Sequence, residues 1–324
     1  MERAMKKFAL LTGLVVTLSL MSWSTIESAP PPAGKRINRA IELLQQDQMI
    51  YYTQIAATEI SYEKGKQMAD TWADYITVEM EHGSYDIPGL RAFMQGLVDA
   101  GPTKSGHRTP AVICTLPVGG ISPEVMRANY WMVEQVLGSG VHGILLVHAR
   151  SPEAVRVFVE SARYVSNKRA VGSGGLGEGM RGAGGQGYAS RIWGISGDEY
   201  TRKAEPWPLD PEGEILLGLK IEDRHALQNA EASVAVPGIG FAEWGPGDMG
   251  MSLGVPASER RSSPIMQAAR NKVFAATKKA KIAFLNQVTP ETIKQLIDDG
   301  VRIGSAGEQA SEIGRKYQKR KMPW

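Results

Sequence analysis

The feature that most constrains this chain is an alternation. From about residue 50 onward, short apolar runs of strand length take turns with amphipathic stretches of helix length. Eight strand-like runs can be counted, at 50–57, 74–80, 111–117, 143–148, 215–222, 238–244, 281–286 and 301–305. Plausible helices lie between them at 62–69, 88–100, 123–137, 152–164 and 290–299. Several carry proline at or near the first turn, where a missing N–H leaves no hydrogen bond unmade. Strands joined by helices run parallel, so the pattern predicts an α/β protein. Eight of them, with polar residues at so many strand ends, favour a closed (β/α)8 TIM barrel over a doubly wound sheet.

Composition narrows the partners. Across 324 residues, 22% charged and 43% hydrophobic content is that of an ordinary globular protein, and a net charge of +3 gives no electrostatic footprint for nucleic acid. The basic run Arg315-Lys-Tyr-Gln-Lys-Arg-Lys321 reads as a solvated tail. Cys114 is the only cysteine, which excludes an intrachain disulfide and a zinc site of paired thiolates. The chain opens with Arg3, Lys6 and Lys7, continues with an apolar run from Phe8 to Trp23 and then becomes rich in Ser, Ala and Pro. That is the pattern of a secretory signal peptide cut after Ala29, with an uncleaved anchor as the alternative, and it predicts an exported, periplasmic or secreted protein. The expected organisation is a signal peptide at 1–29, an extension at 30–49 and the barrel at 50–324.

One connection is unusually long. Between about 165 and 213 lies the tract Gly172-Ser-Gly-Gly-Leu-Gly-Glu-Gly-Met-Arg-Gly-Ala-Gly-Gly-Gln-Gly187, which contains G-x-G-x-x-G at Gly182, Gly184 and Gly187. A dinucleotide fingerprint follows a strand directly and opens a helix, and this one is preceded by polar, glycine-rich sequence. A flexible lid or an inter-subunit arm is the better expectation.

Chemistry-bearing residues gather at the strand ends. Glu222 closes Ile215-Leu-Leu-Gly-Leu-Lys-Ile-Glu222, and Asp248 follows the next strand in Gly240-Phe-Ala-Glu-Trp-Gly-Pro-Gly-Asp248. In a barrel the carboxyl ends of all strands converge on one face, so two oxygen ligands there suit a hard divalent cation. Glu81-His82-Gly-Ser-Tyr-Asp86 follows the second strand. It brings an imidazole able to move protons near neutral pH, though Asp86 also reads as a helix cap before Pro88. Lys220 shares a strand face with Glu222. His148 ends the fourth strand on the same side, while His142 starts it on the stability face. Trp244 offers an aromatic wall, with packing as its default role. Cys114 reads as core.

These residues resemble the HpcH/HpaI aldolase and citrate lyase family over about 50–317. The resemblance rests on Glu79-Met-Glu81-His82, Ile221-Glu222 and Gly245-Pro-Gly-Asp248, with Met180-Arg181-Gly182 similar to the turn of the family's long loop. It implies a phosphoenolpyruvate/pyruvate-type barrel in which Glu222 and Asp248 hold Mg2+, Mn2+ or a similar ion such as Co2+. His82 would then belong to the acid–base machinery, and Glu81 and Lys220, from their places on strand faces, are further catalytic candidates. Gly247, Asp248 and Arg181 would meet a small carboxylate substrate such as a 2-oxo acid, whose enolate the cation stabilises, and Trp244 and His148 join them as candidates from their places at strand ends. Homo-oligomers, trimers or hexamers, are implied as well. Two departures stand out. The family's third-strand arginine is absent from Ala111-Val-Ile-Cys-Thr-Leu-Pro117, and Gly138 stands where an aspartate would orient the histidine. Lys220, where the family commonly has glutamine, could supply the lost charge electrostatically or as a Schiff-base amine. A metal-dependent C–C lyase is therefore the expectation. The alternatives are another acid lyase or hydrolase reaction on the same site and a carboxylate binder without turnover.

Overall fold

The computed structural model describes residues 35–324. The segment read as a signal peptide lies outside them. Among the described residues no helix is long and apolar enough to cross a membrane.

All eight expected strands form. They are β1 (Ile50–Ala56), β2 (Tyr75–Glu79), β3 (Ala111–Gly119), β4 (Gly143–Val147), β6 (Ile215–Lys220), β7 (Phe241–Glu243), β8 (Ala283–Gln287) and β9 (Ile303–Ser305), with a two-residue strand β5 (Pro206–Trp207) between the fourth and fifth of them. Every pairing is parallel, β1 pairs with β9, and β4 pairs directly with β6. That last pairing closes the sheet into a (β/α)8 barrel and leaves β5 as a short addition beside the start of β6.

Strand alternation sorts the core into two layers. Ile50, Tyr75, Ile113, Leu145, Leu216, Phe241, Leu285 and Ile303 fill the barrel interior, and a larger apolar layer lies between strands and helices. Gly218 is required inside: a Cβ there would come within 2.2 Å of the Phe241 ring that crosses the axis. The extension preceding β1 has a structural task. Asn38 caps the helix Arg39–Gln45, and its Nδ2 donates to the carbonyls of His142 and Glu214, just ahead of β4 and β6. Ala40, Ile41 and Leu43 of that helix join the interior cluster, so the helix plugs the bottom of the barrel.

The long glycine-rich connection lies on a different face from the one a lid would need. The helix Pro152–Ala162 carries the chain from the end of β4 back to the bottom before the connection begins. Much of the connection is itself folded, with helices Gln186–Trp193 and Gly197–Lys203. Trp193 donates to the Gly140 carbonyl at 2.8 Å and Tyr200 to that of Leu137 at 2.8 Å, both just ahead of β4. Buried aromatic side chains hold the connection on the barrel's stability face, away from this chain's own mouth.

Candidate active site at the barrel mouth

Glu79 is the last residue of β2 and faces inward with Thr77 and Tyr75. Thr115, its register partner on β3, stitches the two strand ends together. Its Oγ1 accepts from the Met80 N–H at 3.1 Å and donates to Glu79 Oε1 at 3.4 Å. Glu79 Oε1 also accepts the His82 N–H at 3.0 Å and lies 3.3 Å from His82 Nδ1. The imidazole of His82 is therefore oriented by a carboxylate three residues before it, while Gly138 caps the helix Pro123–Leu137 at the opposite end of the barrel.

Lys220 ends β6 pointing inward, with Nζ 2.6 Å from Glu81 Oε2 and 3.6 Å from Glu222 Oε2. Its register partner on β7 is Glu243, which lines the same interior cavity. Burial alone would push the Lys220 ammonium down, but Glu222, Glu243 and Glu81 outweigh it and hold it well above the usual lysine range. The three carboxylates around the ammonium favour its charged form and with it the electrostatic alternative over the Schiff base. The carboxylates outnumber the lysine. Burial raises Glu243 to about 7, with Glu222 and Glu81 adding to the rise and Lys220 opposing it. Glu222 is raised by burial too.

His148 completes the cluster through an uncommon backbone. Its φ of 46° puts a non-glycine residue in the left-handed region, a strain of the kind that gathers at functional sites. In that conformation its N–H donates to Glu222 Oε1 at 2.8 Å. Its Nδ1 lies 3.4 Å from Asp223 Oδ2, and its Nε2 lies 3.7 Å from Glu81 Oε1. Asp223 is fixed in turn by Arg150 Nε at 2.7 Å and by capping the helix Arg224–Val234. Contact with Asp223 raises the His148 pKa against the effect of burial.

Ligand atoms of Glu81, His148 and Glu222 lie within 4.8 Å of one another, and so do those of Glu79, Glu81 and His82. Within the first group Glu81 Oε1 is buried without a hydrogen-bond partner, while His148 Nδ1 faces the Asp223 carboxylate. Excess carboxylate charge, oxygen-rich donors and one orphaned buried carboxylate oxygen suit a divalent cation of the Mg2+ or Mn2+ type.

The structure thus brings together Glu81, His82, His148, Lys220 and Glu222 of the residues expected from sequence. Gly247 and Trp244 line an adjoining cavity, and the Trp244 indole donates to Asn286 Oδ1 at 3.2 Å. Asp248 sits in the first turn of the helix Pro246–Ser252, outside the two converging groups. Arg181 lies elsewhere. It is buried on the stability face, its guanidinium 4.1 Å over the Tyr164 ring and bonded to the Tyr164 and Tyr200 hydroxyls and the carbonyls of Ala162 and Ala204. None of those bonds is directed at the mouth, so its task in this chain is to hold the long connection. Sequence reasoning missed Glu243, Thr115 and the Asp223–Arg150 pair. Strand alternation from Phe241 and Ile113 would have pointed the first two inward.

A closed parallel barrel with a carboxylate and imidazole cluster at the carboxyl ends of its strands defines an enzyme-type scaffold of the (β/α)8 class. The family model for HpcH/HpaI aldolase/citrate lyase matches residues 66–311, and the chain belongs to that family. A 2-keto-3-deoxy-L-rhamnonate aldolase of Klebsiella pneumoniae is 27% identical over 183 residues, 56% of this chain and 55% of the relative. The match therefore spans about half the length of that relative. A hydroxypyruvate/pyruvate aldolase of Sagittula stellata is 27% identical over 225 residues, covering 68% of this chain and 72% of the relative. Among solved structures, an HpcH/HpaI family protein of Burkholderia cenocepacia has a TM-score of 0.63 at 19% identity, covering 87% of this chain and 97% of that one, which supports the fold.

Proposed function

We propose that this protein is a divalent-metal-dependent carbon–carbon lyase acting on a 2-oxo acid or a related small carboxylate. The observation that carries the reading is the convergence of Glu81, His148 and Glu222 at the mouth, with Glu81 Oε1 buried and unpartnered. The curated relatives named as aldolases agree with it. Glu222, with Asp248 by family resemblance and the free Oε1 of Glu81, would hold the ion. Such an ion supplies Lewis acidity toward the carboxylate and oxo oxygens of the substrate.

The chain's own residues do the rest. Cleavage beside an oxo group leaves negative charge on the substrate, and the fixed Lys220 ammonium faces the place where that charge develops. It contributes the positive charge that the third-strand arginine supplies in the family. His82, exposed at the rim and oriented by Glu79, is placed to exchange protons with solvent. His148, held between Asp223 and Glu81, is placed to carry a proton within the cluster.

The test is deuterium exchange into the methyl group of pyruvate, monitored by NMR. Exchange should appear with Mg2+ or Mn2+, stop with EDTA, and be lost in Glu222→Gln together with metal affinity by calorimetry. No exchange by protein with metal demonstrably bound would refute the oxo-acid lyase reading.

A further inference from the structure

A cavity of about 820 Å³ opens beside the mouth, walled by the ends of β7, β8 and β9 and by the helices Pro264–Ala280 and Ile293–Asp299. It shares Glu243 and Leu285 with the cavity inside the barrel, so the two adjoin. Its volume is in the range of sites that enclose whole small ligands, well beyond what a three-carbon oxo acid fills. Its charge is opposite to that of the mouth. Arg260, Arg261 and Arg270 line it. The hydrogen bonds of Arg260 and Arg270 go to neutral groups: Arg260 Nε to the Val255 carbonyl at 3.3 Å, and Arg270 to the side-chain oxygens of Asn286 at 3.2 Å and Asn271 at 3.1 Å. Asn286 Oδ1 also takes the Trp244 indole N–H, which fixes Arg270 along the wall. Two acidic groups face the same space, Glu243 at its inner end and Asp299, which is hydrogen-bonded by Gln295 at 2.9 Å.

Three guanidiniums against two carboxylates, beside a mouth crowded with carboxylates, separate the two ends of a ligand. The reacting end belongs in the barrel, and a negatively charged tail belongs in the side cavity, where planar guanidinium forks match carboxylate and phosphate oxygens. We infer that the substrate carries, on its non-reacting end, a carboxylate or phosphate that seats against Arg260, Arg261 and Arg270, an inference that rests on the lyase reading above.

The experiment compares kcat/KM for cleavage of three 4-hydroxy-2-oxo acids of equal length, ending in a carboxylate, a phosphate or an uncharged group. Wild-type enzyme should prefer an anionic end by roughly tenfold or more, as expected for a charge-assisted contact. The carboxylate and phosphate arms tell which anion it takes. Arg260→Gln/Arg261→Gln should collapse that preference, and Arg270→Lys, which keeps the charge without the fork, should weaken it partly. Equal rates for charged and uncharged substrates in the wild type would overturn the inference and leave the lyase reading standing. If neither cleavage nor pyruvate exchange occurs, the lyase reading fails on its own, and calorimetry with glutarate and inorganic phosphate decides the cavity. Saturable binding that weakens roughly tenfold in the double variant supports the anion site, and absence of binding overturns it.

Discussion

Replacing Asp74 by asparagine should destabilise this barrel at its foot. Asp74 precedes β2 and is fully buried. It takes Arg320 Nη1 at 2.8 and 2.9 Å, Arg39 Nη2 at 3.1 Å and the Tyr51 N–H at 2.9 Å, with Arg315 Nη2 at 3.4 Å. One carboxylate thus anchors the plug helix through Arg39 and the C-terminal stretch through Arg315 and Arg320, so the basic run 315–321 is not the solvated tail its composition suggests: both arginines are buried, and Arg320 also donates to the Met49 carbonyl. Burial would raise the Asp74 pKa, but the three guanidiniums outweigh it and hold it below the usual aspartate range. Asn keeps the shape and an acceptor and removes only the charge, leaving three buried cations without a counterion. Breaking a buried pair in that way costs about 3–5 kcal/mol. At roughly 2 °C per kcal/mol for a domain of this size, Tm should fall by about 6–10 °C. The assay is urea and thermal unfolding of wild type and Asp74→Asn at pH 7. The pH series supplies a second check. A carboxylate with a depressed folded pKa stabilises fully above its unfolded value of about 3.9, and that contribution is lost as pH falls through the folded value. The gap between the two proteins should therefore be constant near neutrality and close below about pH 4. A variant within about 1 kcal/mol of wild type at pH 7 would refute the claim that Asp74 neutralises this cluster.

Two other buried or crowded side chains give measurable outcomes. His142 accepts the Val112 N–H on Nδ1 and stacks on Trp193, and burial lowers its pKa to about 3. Its stabilising effect is complete above the unfolded value of about 6.5 and is lost as pH falls toward the folded one, at up to about 1.4 kcal/mol per pH unit, so His142→Gln should flatten the stability profile between those limits in denaturant titrations. An unchanged slope would show that His142 is not the group being protonated. Lys220→Gln should lower kcat for oxo-acid cleavage by about 10² to 10³, as for loss of one fixed charge at the reacting centre. Wild-type protein treated with pyruvate and borohydride should gain no mass on the peptide containing Lys220, and a trapped adduct there would sink the electrostatic role.

The fold was legible because every level of the sequence agreed. Apolar runs gave all eight barrel strands, and prolines marked the starts of helices such as Pro123–Leu137 and Pro152–Ala162. Of the two expectations for the glycine-rich connection, a lid or an inter-subunit arm, the structure overturns the lid: the intervening helix returns the chain to the other face before the glycines begin. Arg181 was misplaced for the same reason: local composition is rich in glycine, but the position of the segment is fixed by Trp193, Tyr200 and Tyr164, whose partners are far away in sequence. The task of the 30–49 extension was invisible too, because the burial of Ala40, Ile41 and Leu43 exists only once the barrel has closed above them.

Within the site, sequence spacing identified groups better than pairings. Glu81, Glu222 and Lys220 were expected on one face, and they are there, but their mutual distances depend on strand stagger, which spacing does not encode. That stagger sets Lys220 beside Glu243 across the β6–β7 ladder and beside Glu81 from the end of β2. A neutral glutamine at 220 would leave Glu81, Glu222 and Glu243 to be balanced by a divalent ion alone. A lysine adds a positive charge among these carboxylates that needs no ligand exchange. At the mouth Thr115 secures the β2 end by hydrogen bonds, and Lys220, from β6 two strands away, supplies the cation among the carboxylates.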